Sequence, residues 1–216
     1  MLKATVIIDY QNVQLVSVKL FKPQLPRHAH YIHPYNFSQT LMIKRNKKHL
    51  SQILHGTVTK ILVYRGLPSP YHDAKDHERN LQQAKNWKTK PEVIIFQRPL
   101  RYSFLKDNNE QFLLDKNGKR IVIKREEKGI DVLCALALVR EARTSDLVIL
   151  ASQDTDLVPA IEEAIALKQA KIETFSWYSK SSRRSFELRS PVAPTWNTRL
   201  GEEVYFHCLD ETTYGV

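Results

Sequence analysis

Five short, almost unbroken apolar runs punctuate the chain: residues 5–8 (TVII, up to Asp9), 60–64 (KILVY, up to Arg65), 92–96 (EVIIF, up to Gln97), 147–150 (LVIL, up to Ala151) and 171–175 (KIETF, up to Ser176). Runs that do not alternate apolar with polar belong to strands covered on both faces. Segments with helical spacing lie between them. That alternation predicts an α/β fold, a small doubly wound and mostly parallel five-stranded sheet flanked by helices.

The helical segments are legible from their three- and four-residue steps. Residues 37–54 carry Leu41, Ile43, Leu50, Ile53 and Leu54 among many Lys and Arg, and residues 74–87 place Ala74, His77, Leu81, Ala84 and Trp87 on one face. Residues 129–142 are apolar almost all round, which predicts a buried helix. Residues 155–168 put Leu157, Val158, Ile161, Ala164 and Ile165 together, and Pro159 is tolerated in their first turn, where an amide has no partner to lose.

Three segments break the rhythm. Residues 111–124 read as a β-hairpin turning on Asn117-Gly118, inside an insertion over about 100–125. Residues 22–36 hold three prolines and read as loop, and the first strand reads as entering a turn at Asp9. After Trp177 the pattern fades. This predicts a main domain over 1–177 and an extension over 178–216 packing on or near it.

Charge changes the picture more than composition does. The 33 Lys and Arg exceed the 23 Asp and Glu, giving +10 and a pI of about 9.6. Such an excess favours polyanionic partners, nucleic acid first. No apolar run approaches the roughly 18 residues of a membrane span. Two cysteines, Cys134 and Cys208, form neither a disulfide framework nor a zinc motif. A cytoplasmic protein with free thiols and no membrane partner is expected.

The candidate chemistry lies in the acids. Asp9 closes the first run, Asp154 and Asp156 follow directly on the fourth, and Asp131 opens the most apolar helix. Parallel sheets bind ligands outside the carboxyl ends of their strands, where the strand order reverses. With strands one and four as neighbours, Asp9, Asp154 and Asp156 face one crevice, and the helix beginning at Asp131 leads into strand four. Each acid also has a local reading. Asp156 suits a helix first turn, by about 0.3–1 kcal/mol. Asp154, Thr155 or Asp131 suits a helix cap, and Asp9 a turn. Taken together, they are four carboxylates at one sheet edge, where pairs at about 4–6 Å repel by roughly 3–4 kcal/mol at an effective dielectric near 20. Either their pKa values rise or a cation sits among them. Oxygen-only donors select a hard ion, Mg²⁺ or Mn²⁺.

Three segments in this order resemble the NYN domains, a branch of the PIN-like metal-dependent ribonucleases. They are Ile8-Asp9-Tyr10-Gln11-Asn12-Val13, Glu127-Lys128-Gly129-Ile130-Asp131-Val132 and Ser152-Gln153-Asp154-Thr155-Asp156-Leu157. The resemblance spans residues 1–177. It implies a sheet ordered 3-2-1-4-5, metal ligation by Asp9, Asp131, Asp154 and Asp156, and endoribonuclease activity. It also implies that Asn12 orients Asp9 or contacts substrate and that Ser152 supplies a hydroxyl before the acidic pair. Gln153 departs from the family's common glycine, which bears on substrate shape.

Around this edge stand Arg65, Arg98, Arg101, Lys124, Arg125 and Lys128, the expected phosphate-binding residues. Tyr102 and Phe104 suit either base stacking or packing under the hairpin. Lys180, Arg183, Arg184 and Arg189 suit a second patch or a plain soluble linker. His28, His30 and His33 lie in a proline-rich loop without acids and predict no metal role. The leading expectation is a Mg²⁺- or Mn²⁺-dependent endoribonuclease acting on single-stranded or structured RNA. The alternatives are a non-catalytic RNA-binding module and a metal enzyme acting on a small molecule. A homodimer and an inhibitor protein stay open as partners.

Overall fold

The computed structural model describes residues 1–26, 30–181, 184–185 and 187–215. Along the chain come β1 (Leu2–Asp9), α1 (Tyr10–Phe21), α2 (Pro34–Asn46), β2 (Gly56–Leu67), α3 (Ala74–Trp87) and β3 (Val93–Pro99). Then follow β4 (Arg101–Phe104), β5 (Val122–Glu126), α4 (Ile130–Glu141), β6 (Leu147–Ala151) and α5 (Val158–Ala166). The last elements are β7 (Lys171–Ser179), β8 (Arg184–Ser185), β9 (Trp196–Leu200) and α6 (Glu202–His207). The five apolar runs become β1, β2, β3, β6 and β7, parallel and ordered β3-β2-β1-β6-β7, the expected 3-2-1-4-5.

The sheet carries a core on each face. One gathers Val13, Phe21, Phe37, Trp87, Phe175, Trp177 and Tyr205 beneath α1, α2 and α6. The other gathers Ile130, Cys134, Leu138, Leu157 and Ile161 beneath α4 and α5. Chain crossing from one face to the other between β1 and β6 makes the switch point there.

Local chemistry explains several boundaries and several departures from expectation. Where a turn was expected after Asp9, the structure has α1: the Asp9 side chain accepts from the Asn12 amide and caps the helix. The expected helix 37–54 instead starts at Pro34, favoured in a first turn, and stops at Asn46; Leu50 and Ile53 beyond it are exposed. The helix expected to be buried all round shows Val132 and Leu136, both about 60% exposed: α4 packs on β1, β2 and α5 with one side and leaves these residues to solvent on the other. The hairpin becomes a longer arm. Its base is β4 paired antiparallel with β5, and bridges Lys106–Phe112 and Leu114–Arg120 fold its tip back between them. Gly118, at φ +73°, takes the left-handed position in the tip, and Asp115 accepts from the amides of Asn117 and Lys119.

The chain after Trp177 continues into the same layers. β9 pairs parallel with β7, and α6 inserts Val204 and Tyr205 into the first core. Asp210 accepts from the Trp87 indole at 2.7 Å and the Tyr214 hydroxyl at 2.6 Å. A fully buried guanidinium, that of Arg45, ties α2 to β7 through two bonds to Glu173, at 2.7 and 2.9 Å. Cys134 and Cys208 are free and buried. Among the described residues no helix is long and apolar enough to cross a membrane.

Candidate functional site

Register delivers the first contact. Ile8 of β1 stands beside Ala151 of β6, so the next residues, Asp9 and Ser152, emerge together at the carboxyl edge. Ser152 Oγ donates to Asp9 Oδ2 at 2.9 Å and accepts from the Asp154 amide at 3.2 Å. Asn12, one turn into α1, accepts at Oδ1 from the Gln153 amide at 2.8 Å. Asp154 caps the 3₁₀ turn before α5, accepting from the Asp156 amide at 3.0 Å. The two loops that leave β1 and β6 are therefore stitched together by side chains of Asn12 and Ser152.

Asp9 and Asp131 differ in burial and shift in the same direction. Asp9 is 3% exposed, and burial first, with Glu127 and Asp131 adding repulsion, pushes its carboxyl up to about 7; the Ser152 and Asn12 bonds pull the other way. Asp131, in the first turn of α4, is raised by desolvation and then by the charges of Asp154 and Asp156. It is an exposed residue, so the expectation of a buried acid is corrected: its helix turns this position toward the crevice. Gly129, at φ +76°, starts that helix, and no side chain caps it.

Sequence reasoning missed a fifth acid, Glu127. Its carboxylate accepts from the Gly66 amide at the end of β2, and burial followed by the Asp131 charge raises its pKa. A Cβ on Gly66 would stand 2.8 Å from Glu127 Cγ, so glycine permits the approach. In sequence Glu127 sits within KREEK, which reads as a solvated charge run; only its place two residues before the Gly129 turn hints otherwise.

The five acids influence one another without closing on a point. Among the described residues no three His, Cys, Asp or Glu side chains stand close enough together to hold a metal ion. The donor set nevertheless suits a hard ion in its chemistry. Mg²⁺ keeps several waters and is ordinarily held by one or two carboxylates directly. In this arrangement one or two of the acids would touch the ion and the others would act through its water shell.

The basic residues divide. Arg65 is not on the surface: it is 5% exposed, lies 4.6 Å over the Tyr10 ring and 5.1 Å over Trp87, and donates to Gln83 at 3.0 Å. Arg125 is paired with Asp76 at 2.8 Å and Asp73 at 3.2 Å, and Lys124 and Lys128 both approach Glu126. Arg98 and Arg101 are exposed, and Arg98 runs beside Gly129 at the start of α4. Tyr102 packs: its hydroxyl donates to Asp73 at 2.7 Å and accepts from the Ser69 amide at 2.8 Å. Phe104 lies against His72 and Phe112.

Farther off, Arg189 pairs with Glu187 and Lys180 is exposed. His30 contacts the Tyr205 hydroxyl at 3.1 Å, and the His33 ring packs on Trp87. His28 and Arg183 lie outside the described residues, as does the side chain of Arg184.

The fold and this edge define a parallel α/β protein with an acidic cluster at its switch point. No protein-family model matches the chain, and no curated protein sequence does. The structure is similar to the crystal structure of a protein of unknown function from Vibrio parahaemolyticus, with a TM-score of 0.51 and 16% identity over 96% of each chain. That likeness is one of fold.

Proposed function

We propose that the chain is a metal-dependent endoribonuclease, with Asp9, Asp131, Asp154 and Asp156 as the residues that would hold Mg²⁺ or Mn²⁺. One observation carries the reading: carboxylates from β1, α4 and the β6 end face one crevice at the switch point, and burial first, with repulsion between the acids adding to it, raises both Asp9 and Asp131. Sites tuned this far from ordinary pKa values are disproportionately functional. The sequence resemblance to the NYN domains supports the same assignment. A bound ion would supply a more acidic water and offset charge on the phosphate.

The chain's own residues have distinct tasks. Ser152 and Asn12 fix Asp9 and the loop carrying Asp154. The exposed Arg98 and Arg101 hold the phosphate backbone and offset the charge that develops on it. Water attacks phosphorus in line, the bond from phosphorus to the 3′-oxygen breaks, and the proton ends on that oxygen. The products carry 5′-phosphate and 3′-hydroxyl ends.

A second reading, an RNA-binding module without cleavage, is favoured by the absence of a closed three-ligand group among the described residues. One experiment separates the two. Labelled single-stranded and hairpin RNAs are incubated with the protein in Mn²⁺, in Mg²⁺ or in chelator, beside Asp9→Asn and Asp154→Asn. Metal-dependent cleavage that both substitutions abolish supports the nuclease. Binding without cleavage, indifferent to metal, sinks it and supports the module.

A further inference from the structure

Beside the acidic crevice lies a cleft of about 310 Å³, walled by Tyr31, Arg65, Arg79, Asn80, Arg125 and Glu127. Its distinguishing feature is the buried guanidinium of Arg65. The Nε–H of Arg65 has no hydrogen-bond partner, and Arg65 takes part in no ion pair among the described residues. A buried charge without a direct ion pair is costly, and the ring faces of Tyr10 and Trp87, with the Glu127 carboxylate acting at longer range, compensate it only in part.

The carboxylates of the wall are already engaged, Asp76 by two guanidiniums of the same wall. Asp76 accepts from Arg79 at 2.5 Å and from Arg125 at 2.8 Å, and Glu127 accepts from the Gly66 amide. Unused hydrogen-bonding capacity in the neighbourhood is mostly that of donors. The Nε–H of Arg79 and the amide nitrogen of fully buried Gln83 have no partner; Asn80 Oδ1 is the acceptor in the same state. Surplus donors around a buried guanidinium that lacks a direct ion pair call for an acceptor-rich anion. The volume is that of a small-ligand pocket and leaves room for more than the anion itself.

We propose that this cleft binds the phosphate monoester of a nucleotide, anchored on Arg65 and Arg79, with the nucleoside filling the space toward Tyr31 and Asn80. Such a phosphate belongs either to a free mononucleotide or to the 5′ end of an RNA strand. The site uses none of the aspartates of the acidic crevice and stands independently of metal-dependent cleavage.

Calorimetric titration in chelator tests it, with inorganic phosphate, AMP and adenosine as probes. Phosphate and AMP are expected to bind and adenosine to bind at least tenfold more weakly. Gln83→Glu places an internal carboxylate against the guanidinium and is expected to weaken AMP at least tenfold; Arg79→Gln, on a partly exposed residue, is expected to weaken it severalfold and serves if the buried variant does not fold. A 5′-phosphorylated oligonucleotide beside its 5′-hydroxyl twin distinguishes the sources. A marked preference for the phosphorylated strand assigns the site to strand ends, and AMP binding without that preference assigns it to free nucleotides. Equal binding of adenosine and AMP, no binding of AMP, or undiminished AMP binding by the folded variants would overturn the proposal. Because chelator strips the acidic crevice of any ion, a protein that cleaves no RNA leaves this outcome unaffected.

Discussion

Ser152, at the end of β6, gives its hydroxyl hydrogen to Asp9, at the end of β1, across 2.9 Å. The bond spans the switch point and stabilises the charged form of an acid whose burial opposes charge. Burial wins, leaving Asp9 at about 7.

The sign of the resulting pH dependence is fixed. A carboxyl group raised in the folded state binds more protons there than when unfolded, so stability falls as pH rises from about 4 through about 7. Asp131 and Glu127 shift in the same direction. His33, lowered by burial, opposes them, so the comparison must isolate Asp9. In chelator the thermal midpoint is expected to be lower at pH 8 than at pH 5.5, with Asp9→Asn flattening the difference. Mn²⁺ at pH 8 is expected to raise the midpoint of the parent and not of the variant. An equal slope in both proteins rules the account out.

Ser152→Ala removes both the bond to Asp9 and the acceptor for the Asp154 amide. Losing partners of this kind typically costs about 10–100-fold in metal affinity. Manganese titration followed by calorimetry is expected to show a loss in that range, with a far-ultraviolet spectrum like the parent's. Unchanged affinity would remove Asp9 from the ligand set.

Glu173 would be left buried and unpaired in Arg45→Leu, since both its oxygens are bound by that guanidinium. Breaking one half of such a pair costs about 3–5 kcal/mol, whereas replacing both halves by apolar residues is often near neutral. Urea denaturation of Arg45→Leu and of the double variant Arg45→Leu/Glu173→Leu reads the difference. The single variant is expected to be the less stable of the two, and the reverse order contradicts the account.

Gly66→Ala drives a methyl group toward Glu127 and the Leu100 side chain. Overpacking of this sort costs about 1–3 kcal/mol. Protease nicking within residues 100–126 is expected to accelerate, because the arm's base rests on this junction. A variant as stable and as resistant as the parent would mean the junction yields without cost.

The parallel strands were legible because each is a nearly unbroken apolar run, although β3, at the sheet edge, leaves Ile94 and Phe96 exposed. α3 was legible to its ends, Ala74 and Trp87. α1 was hidden because Asp9 serves as strand end, helix cap and candidate ligand at once, and its cap looks like a turn when only the sequence is read. The exposure of Val132 and Leu136 was illegible for another reason: a helix that is apolar almost all round does not say which of its sides meets the sheet. Within the site, proximity of Asp9, Ser152 and Asp154 followed from strand order, while the burial of Arg65 was illegible because charge suggests a surface and two aromatic rings cover it instead.

Trp87 joins the buried guanidinium of Arg65 on one side to Asp210 on the other. Synthesis delivers those partners in a fixed sequence, with the acceptor emerging from the ribosome well after the indole. Until then the nascent chain carries an open β7 edge and a cleft whose rear support is missing, a template for wrong pairing. A chain truncated before Trp196 should therefore be cut by protease within β7, where the chain that extends past Asp210 is resistant.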